Sequence, residues 1–86
     1  MTDIEFRSDV LGKIQGIIRQ ELNDPELVIN EATTAADVPG WDSVTHVQII
    51  VAVERTFGMR LKSSEVAQLE NIGSLINVVL SRGTNR

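Results

Sequence analysis

Apolar residues recur at steps of three and four through the first segment of the chain, which predicts an amphipathic helix. The stripe consists of Phe6, Val10, Ile14 and Ile17, widened by Leu11, Ile18 and Leu22. Thr2 and Glu5 have the spacing of a capping box at its start, while Gly12 and Gly16 weaken its middle. We expect the helix to end at residues 23–25, because the proline there disfavours helical geometry in the residue before it.

Residues 26–41 lack a sustained helical period and predict a long ordered connection. Its apolar residues, among them Leu27, Val28 and Ile29, are expected to pack onto the core. The same three residues also fit a short strand, for which the chain shows no clear partner. A connection of this length inside a compact domain is uncommon and is more often packed or functional than idle.

The segment from Val44 to Val53 is rich in β-branched residues, so intrinsic propensity alone favours a strand. Its periodicity favours a helix, because at about 100° per residue one face collects apolar side chains and the other polar ones. The inward face consists of His46, Ile49, Ile50, Val53 and Phe57, and the polar face of Thr45, Gln48 and Arg55. Asp42 is expected to cap this helix, with Ser43 in its first turn, and Gly58 to stop it.

Two further helices follow in the remaining sequence. Ser63 or Ser64 is expected to cap a short third helix that runs to Leu69, with Val66 and Leu69 facing inward. Asn71 is expected to cap the last helix. The apolar positions of that helix are Ile72, Leu75, Ile76, Val79 and Leu80.

Together these elements predict an all-α, four-helix bundle with a short third helix and a long loop between helices one and two. A chain of 86 residues buries one core only, so we expect a single domain over 1–86 with a frayed tail at 83–86. The longest apolar run, 49–53, is too short for a membrane-spanning helix, and the charges near the N-terminus break a signal-peptide pattern. We therefore expect a soluble, cytoplasmic protein without membrane insertion.

Composition narrows the function classes further. The formal net charge of −4 has the wrong sign for nucleic acid binding and favours basic protein partners. We expect the domain to be a monomer. The absence of cysteine excludes disulfides, a thiolate nucleophile and sulfur-ligated metals. One histidine leaves few general acid or base candidates, and 3% aromatic residues are too few for a base-stacking platform. An enzyme is not expected.

Val44, Val47 and Val51 form a second apolar stripe on helix two, rotated from the core face and next to Ser43. One interpretation is that a small bundle buries a wide face. The other is a docking surface, whose desolvation supplies affinity for a partner. On the docking interpretation, Val51→Asp leaves the fold intact and weakens partner binding.

Ser43 admits several interpretations from the residues alone. It is an ordinary first-turn serine, or it carries a phosphate that the positive end of the helix favours. A nucleophile–base pair with His46 is a third, which still lacks an orienting group and an oxyanion site. Asp42 and His46 supply only two metal ligands. A plain helical adaptor that docks through the apolar stripe and is never modified also stays open.

The sequence Asp42-Ser43-Val44, preceded by Gly40-Trp41, resembles the Asp-Ser-Leu signature of acyl carrier proteins and related thiolation domains. The resemblance covers about the whole chain. It continues through residues of helix two, the short helix three and the last helix, namely Val47, Ile50, Val53, Glu54, Phe57, Ser63, Leu69, Asn71, Ile72 and Ile76.

This resemblance implies that Ser43 is an attachment point rather than a catalyst. In that family a phosphopantetheinyl transferase moves 4′-phosphopantetheine from coenzyme A to the serine, and the thiol of the arm holds acyl groups as thioesters for acyl-loading and acyl-transferring enzymes. It implies that Asp42 caps the helix and is recognised by the transferase. The implied partner-binding residues are Val44, Val47, Val51 and Glu54, and candidates for an acyl pocket are Ile50, Val53, Ile72 and Ile76.

The chain departs from the family pattern on helix two. Val44 stands where leucine is commoner, and Thr45, Gln48 and Arg55 stand where carriers of fatty acid synthesis often have acids, which leaves Glu54 as the only acid inside this helix. A partner that matches a basic patch to an acidic helix gains less here. We therefore expect a specialised acyl or aminoacyl pathway rather than general fatty acid synthesis.

Overall fold

The described part of the chain forms helices in the predicted order. The computed structural model describes residues 3–82, with side chains from 7 to 81. Its α-helices are α1 (Asp3–Leu22), α2 (Ser43–Phe57), α3 (Ser63–Ala67) and α4 (Ile72–Arg82). A short 3-10 helix, Ala35–Asp37, lies in the connection between α1 and α2. The predicted capping box of Thr2 and Glu5, the side chain of Phe6 and the tail at 83–86 lie outside the described residues.

The core lies where the apolar stripes of α1, α2 and α4 meet. Its buried members are Val10, Ile14, Ile18, Ile29, Ile49, Val53, Phe57, Ile72, Leu75, Ile76 and Val79. In α1 the stripe follows steps of four to Ile18, while Ile17 is only partly buried at its edge. The short helix α3 contributes no buried residue, and Leu69 after it packs against the core.

The first helix ends through a left-handed residue. Asn23 has a φ of 55°, and the N–H of Asp24 donates to the carbonyl of Arg19 at 2.9 Å. Asparagine tolerates this conformation better than most residues and often ends a helix in this way. The predicted end of α1 before the proline is confirmed.

The connection after α1 contains no strand at Leu27–Ile29, so that interpretation was wrong. The carbonyl of Leu27 accepts from Arg19 Nε at 2.6 Å, and the N–H of Ile29 donates to Gln15 Oε1 at 2.9 Å. Side chains of α1 therefore satisfy backbone groups that a partner strand otherwise satisfies. Ile29 is buried, whereas Val28 is 75% exposed and does not pack inward as expected.

Glu31 joins this connection to both α1 and α4. Its carboxylate accepts from Arg7 Nε at 3.0 Å, and another nitrogen of Arg7 donates to Asn77 Oδ1 at 2.6 Å. The guanidinium of Arg7 holds the pKa of Glu31 below its ordinary value. The carbonyl of Glu31 also accepts from the N–H of Gly73 at 2.8 Å, and a Cβ at Gly73 would lie 3.2 Å from that oxygen. The close approach explains a glycine in the first turn of α4.

The starts of α3 and α4 can be compared with the predicted caps. Asn71 Oδ1 accepts from the N–H of Ser74 at 2.9 Å, which confirms the cap of α4. Neither Ser63 nor Ser64 caps α3, so that prediction was wrong: Lys62 is the N-cap, and its N–H donates to Glu65 Oε1 at 2.8 Å. The helix also ends two residues before the predicted Leu69.

Candidate functional site

The site begins at the N-terminus of α2, where Asp42 caps the helix. Its Oδ1 accepts from the N–H of Thr45 at 2.8 Å, as predicted. These first-turn N–H groups hold the pKa of Asp42 below its ordinary value. Ser43 follows as the first helical residue and is exposed, and no described residue makes a hydrogen bond to its Oγ. A group attached to Ser43 therefore projects into solvent beside the positive end of the helix.

Trp41 ties the loop before Ser43 to the second turn of α2. Its Nε1–H donates to His46 Nδ1 at 3.1 Å, and the two ring centroids lie 6.0 Å apart. Trp41 is partly buried against the core. Trp41 therefore anchors this loop, and His46 supplies the hydrogen-bond acceptor on α2. Sequence reasoning did not find this pairing, although both residues stood within one turn of Ser43.

This hydrogen bond removes the nucleophile–base interpretation. The indole N–H can only donate, so Nδ1 of His46 is the acceptor and a neutral imidazole carries its proton on Nε2. Neither nitrogen then has a lone pair free to take a proton from Ser43. Ser43 and His46 do not form a catalytic pair in this arrangement.

The second apolar stripe lies on the surface. Val44 is 68% exposed, Val47 60% and Val51 37%, so the bundle does not bury this face. The stripe starts directly after Ser43 and runs along two turns of α2. Valines exposed at this spacing form an unpartnered apolar surface beside Ser43.

Glu54, predicted as a partner-binding acid, has a structural contact. Its Oε2 accepts from the N–H of Leu61 at 2.8 Å, and the side chain is partly buried. The carboxylate therefore holds the connection between α2 and α3 in place. The helix ends four residues later at Gly58, whose φ of 63° is left-handed as the predicted stop requires.

A small cavity lies beside Trp41 and His46. It has a volume of about 60 Å³, and Ile50, Ile72 and Leu75 form much of its apolar lining. Of the four candidate pocket residues, Ile50 and Ile72 line this cavity. Val53 and Ile76 are fully buried in the core instead. An acyl pocket among these residues stays a prediction.

The described residues were also compared with the requirements of a metal site and of a membrane-spanning helix. Residues 7–81, whose side chains the structure describes, contain no group of three or more His, Asp or Glu side chains that could hold a metal ion. None of the helices among residues 3–82 has both the length and the apolar character needed to cross a membrane.

Comparison with known proteins gives the class of this site. Residues 12–79 match the family described as the phosphopantetheine attachment site. The "Acyl carrier protein" of Thermosynechococcus vestitus is 31% identical over 74 residues, which are 85% of this chain and 90% of that protein. The "Acyl carrier protein" of Helicobacter pylori strain G27 is 31% identical over 67 residues, or 77% of this chain and 85% of that one.

A solved structure has the same fold. The solution NMR structure of a holo acyl carrier protein from Geobacter metallireducens superposes with a TM-score of 0.79 at 30% identity, covering 85% of this chain and 84% of that chain. The chain belongs to the acyl carrier protein family. It is a carrier of 4′-phosphopantetheine that works with partner enzymes rather than an enzyme itself, which favours the carrier over the unmodified adaptor.

Proposed function

We propose that 4′-phosphopantetheine is attached to Ser43 and that the chain carries acyl groups on this arm. The observation that carries the proposal is an exposed serine at the first position of α2, within the segment that matches the attachment-site family. When bound, the arm supplies a terminal thiol that the cysteine-free chain lacks, and this thiol holds acyl groups as thioesters.

The residues around Ser43 fit a phosphodiester. The N-terminus of α2 presents the positive end of its dipole, which favours a phosphate on the serine oxygen. The carboxylate of Asp42 opposes this through its negative charge, but it is bonded to the N–H of Thr45. Asp42 therefore stabilises the helix start, and we propose that a phosphopantetheinyl transferase recognises it.

Intact-protein mass spectrometry tests the attachment. The chain is incubated with coenzyme A, Mg²⁺ and a broad-specificity phosphopantetheinyl transferase. We expect a mass gain equal to one phosphopantetheine in the wild type and none in Ser43→Ala. Ser63→Ala is the matched control, because Ser63 is also an exposed first residue of a helix, and it should gain the same mass as the wild type. No gain with several transferases, or a gain that persists in Ser43→Ala, would contradict the proposal.

We also propose that the carrier serves a specialised acyl or aminoacyl pathway. The support is the surface of α2, where Gln48 and Arg55 are exposed and Glu54 is bonded to Leu61. A partner with a basic patch finds little complementary charge on this helix. Loading of the modified chain by an acyl-transferring enzyme of general fatty acid synthesis should therefore be much slower than loading of that enzyme's own carrier, and equal rates would overturn the proposal.

A further inference from the structure

The hydrogen bond between Trp41 and His46 joins two residues that line the small cavity, and it depends on the protonation state of His46. We propose that this bond is a proton-sensitive closure: it holds the Trp41 ring at the cavity while His46 is neutral and releases it when His46 is protonated. No other part of the site is required to titrate for this to occur.

The geometry gives Trp41 a position from which its movement changes the cavity. Trp41 and His46 both line the cavity of about 60 Å³, with Ile50 and Ile72 on its apolar wall. Trp41 precedes Ser43 by two residues, and its N–H donates to the carbonyl of Val38 at 3.2 Å. The indole side chain reaches α2 through the bond to His46 Nδ1. Release of the ring therefore widens the cavity at the wall that Trp41 forms.

The proton dependence follows from the donor and acceptor inventory of the two rings. Indole has a donor and no acceptor, and a neutral imidazole has one of each. A protonated imidazole has two N–H groups and no acceptor. At a separation of 3.1 Å, protonation places two N–H groups against each other and breaks the bond. Loss of one hydrogen bond of ordinary net strength is expected to raise the population of the released ring about fivefold.

Two acidic residues lie near His46, one across the cavity and one at the start of its own helix. Among the residues that share a cavity or groove lining with it, Glu70 on the connection between α3 and α4 is the charged one. Asp42 lies one turn earlier on its own element, where its carbonyl accepts from the N–H of His46 at 2.8 Å and its carboxylate accepts from Thr45. Glu70 is therefore the group whose titration the experiment has to separate from that of His46.

The experiment uses the unmodified protein, because the chain contains one tryptophan and one histidine whose signals need no assignment. The imidazole C2–H resonance is followed by NMR from neutral to mildly acidic pH, beside acrylamide quenching of tryptophan fluorescence. We expect acrylamide quenching to increase as the pH is lowered, with the same midpoint as the change in the imidazole resonance. The far-UV circular dichroism should stay constant over this range. Glu70→Gln should keep this behaviour. His46→Gln, which offers a non-titrating acceptor, should abolish the pH dependence.

Three outcomes would overturn the proposal: quenching that stays constant while the imidazole titrates, loss of the effect in Glu70→Gln, or an unchanged effect in His46→Gln. Any effect of the wider cavity on a carried acyl group rests on the proposed function of Ser43. The closure itself does not, so a failure here and a failure of the mass-spectrometric test are distinguishable.

Discussion

Asp42 caps α2 and also places a negative charge next to Ser43. Its carboxylate satisfies the N–H of Thr45 at the start of α2, and the same negative charge lies next to the serine proposed to carry a phosphodiester. An asparagine caps a helix about as well as an aspartate but has no charge. Substitution of Asp42 can therefore separate helix capping from recognition of its charge by the transferase.

We predict that Asp42→Ala lowers the melting temperature by about 5 °C at neutral pH, whereas Asp42→Asn stays close to the wild type. Both variants should be modified more slowly at Ser43 if the transferase recognises the carboxylate. Thermal unfolding by circular dichroism and the rate of mass gain measure the two effects. A modification rate of Asp42→Asn equal to that of the wild type would exclude recognition of the charge.

The stability contributed by Asp42 should also depend on pH. Its pKa is lower in the folded chain than in the unfolded chain, so folding favours the ionised form. The advantage of the wild type over Asp42→Ala is therefore fully present above the unfolded pKa of about 4, and it shrinks as the pH falls through the lowered folded pKa. The advantage of Asp42→Asn over Asp42→Ala should not change, because the amide does not titrate. Parallel losses in all three proteins on acidification would refute this role.

At the scale of the helices, ends that depend on adjacent residues were predictable. Asp42, Gly58 and Asn71 act on backbone groups within four residues, and local sequence was sufficient to place them. The start of α3 was not predictable in this way. Its stabilising side chain is Glu65 inside the helix rather than a serine before it, and five residues are too few to show a period.

Gly58 and Gly12 allow a matched test of helix geometry. Each would accept a Cβ without meeting another atom within 4 Å, but Gly58 has a φ of 63° and Gly12 lies inside α1. We predict that Gly58→Ala destabilises the protein by about 1 kcal/mol, because a left-handed alanine is strained. Gly12→Ala should stabilise it by a similar amount. Urea unfolding measures both, and a change of the same sign in the two variants would contradict the assignment.

At the scale of the whole molecule, the bundle was predictable because its helices follow from the local pattern, and that pattern also placed Ser43 in the first turn of α2. The path of residues 23–42 was not predictable, since it depends on contacts between residues distant in sequence. Glu31 meets Arg7 and the N–H of Gly73, and neither contact leaves a periodic signal. The bond from Trp41 to His46 was missed for a related reason: their proximity depends on how the loop packs onto α2.

The exposed stripe of Val44, Val47 and Val51 bears on how the whole molecule meets its partners. It is continuous with Ser43, so an enzyme that reaches the serine oxygen also approaches these valines. We propose that the phosphopantetheinyl transferase docks an apolar surface on this stripe. An aspartate in such a contact loses apolar burial and adds a charge that must be desolvated.

We predict that Val47→Asp lowers kcat/KM for modification of Ser43 by roughly tenfold or more, mainly through KM. Val28→Asp is the matched control, since it makes the same change at a valine that is 75% exposed in the connection after α1, and it should react like the wild type. Val51→Asp should act as Val47→Asp does, although its lower exposure of 37% makes a check of the fold by circular dichroism necessary. Equal effects of Val28→Asp and Val47→Asp would show that net charge, rather than the stripe, controls the reaction, and unfolding of Val47→Asp would assign the stripe to the core.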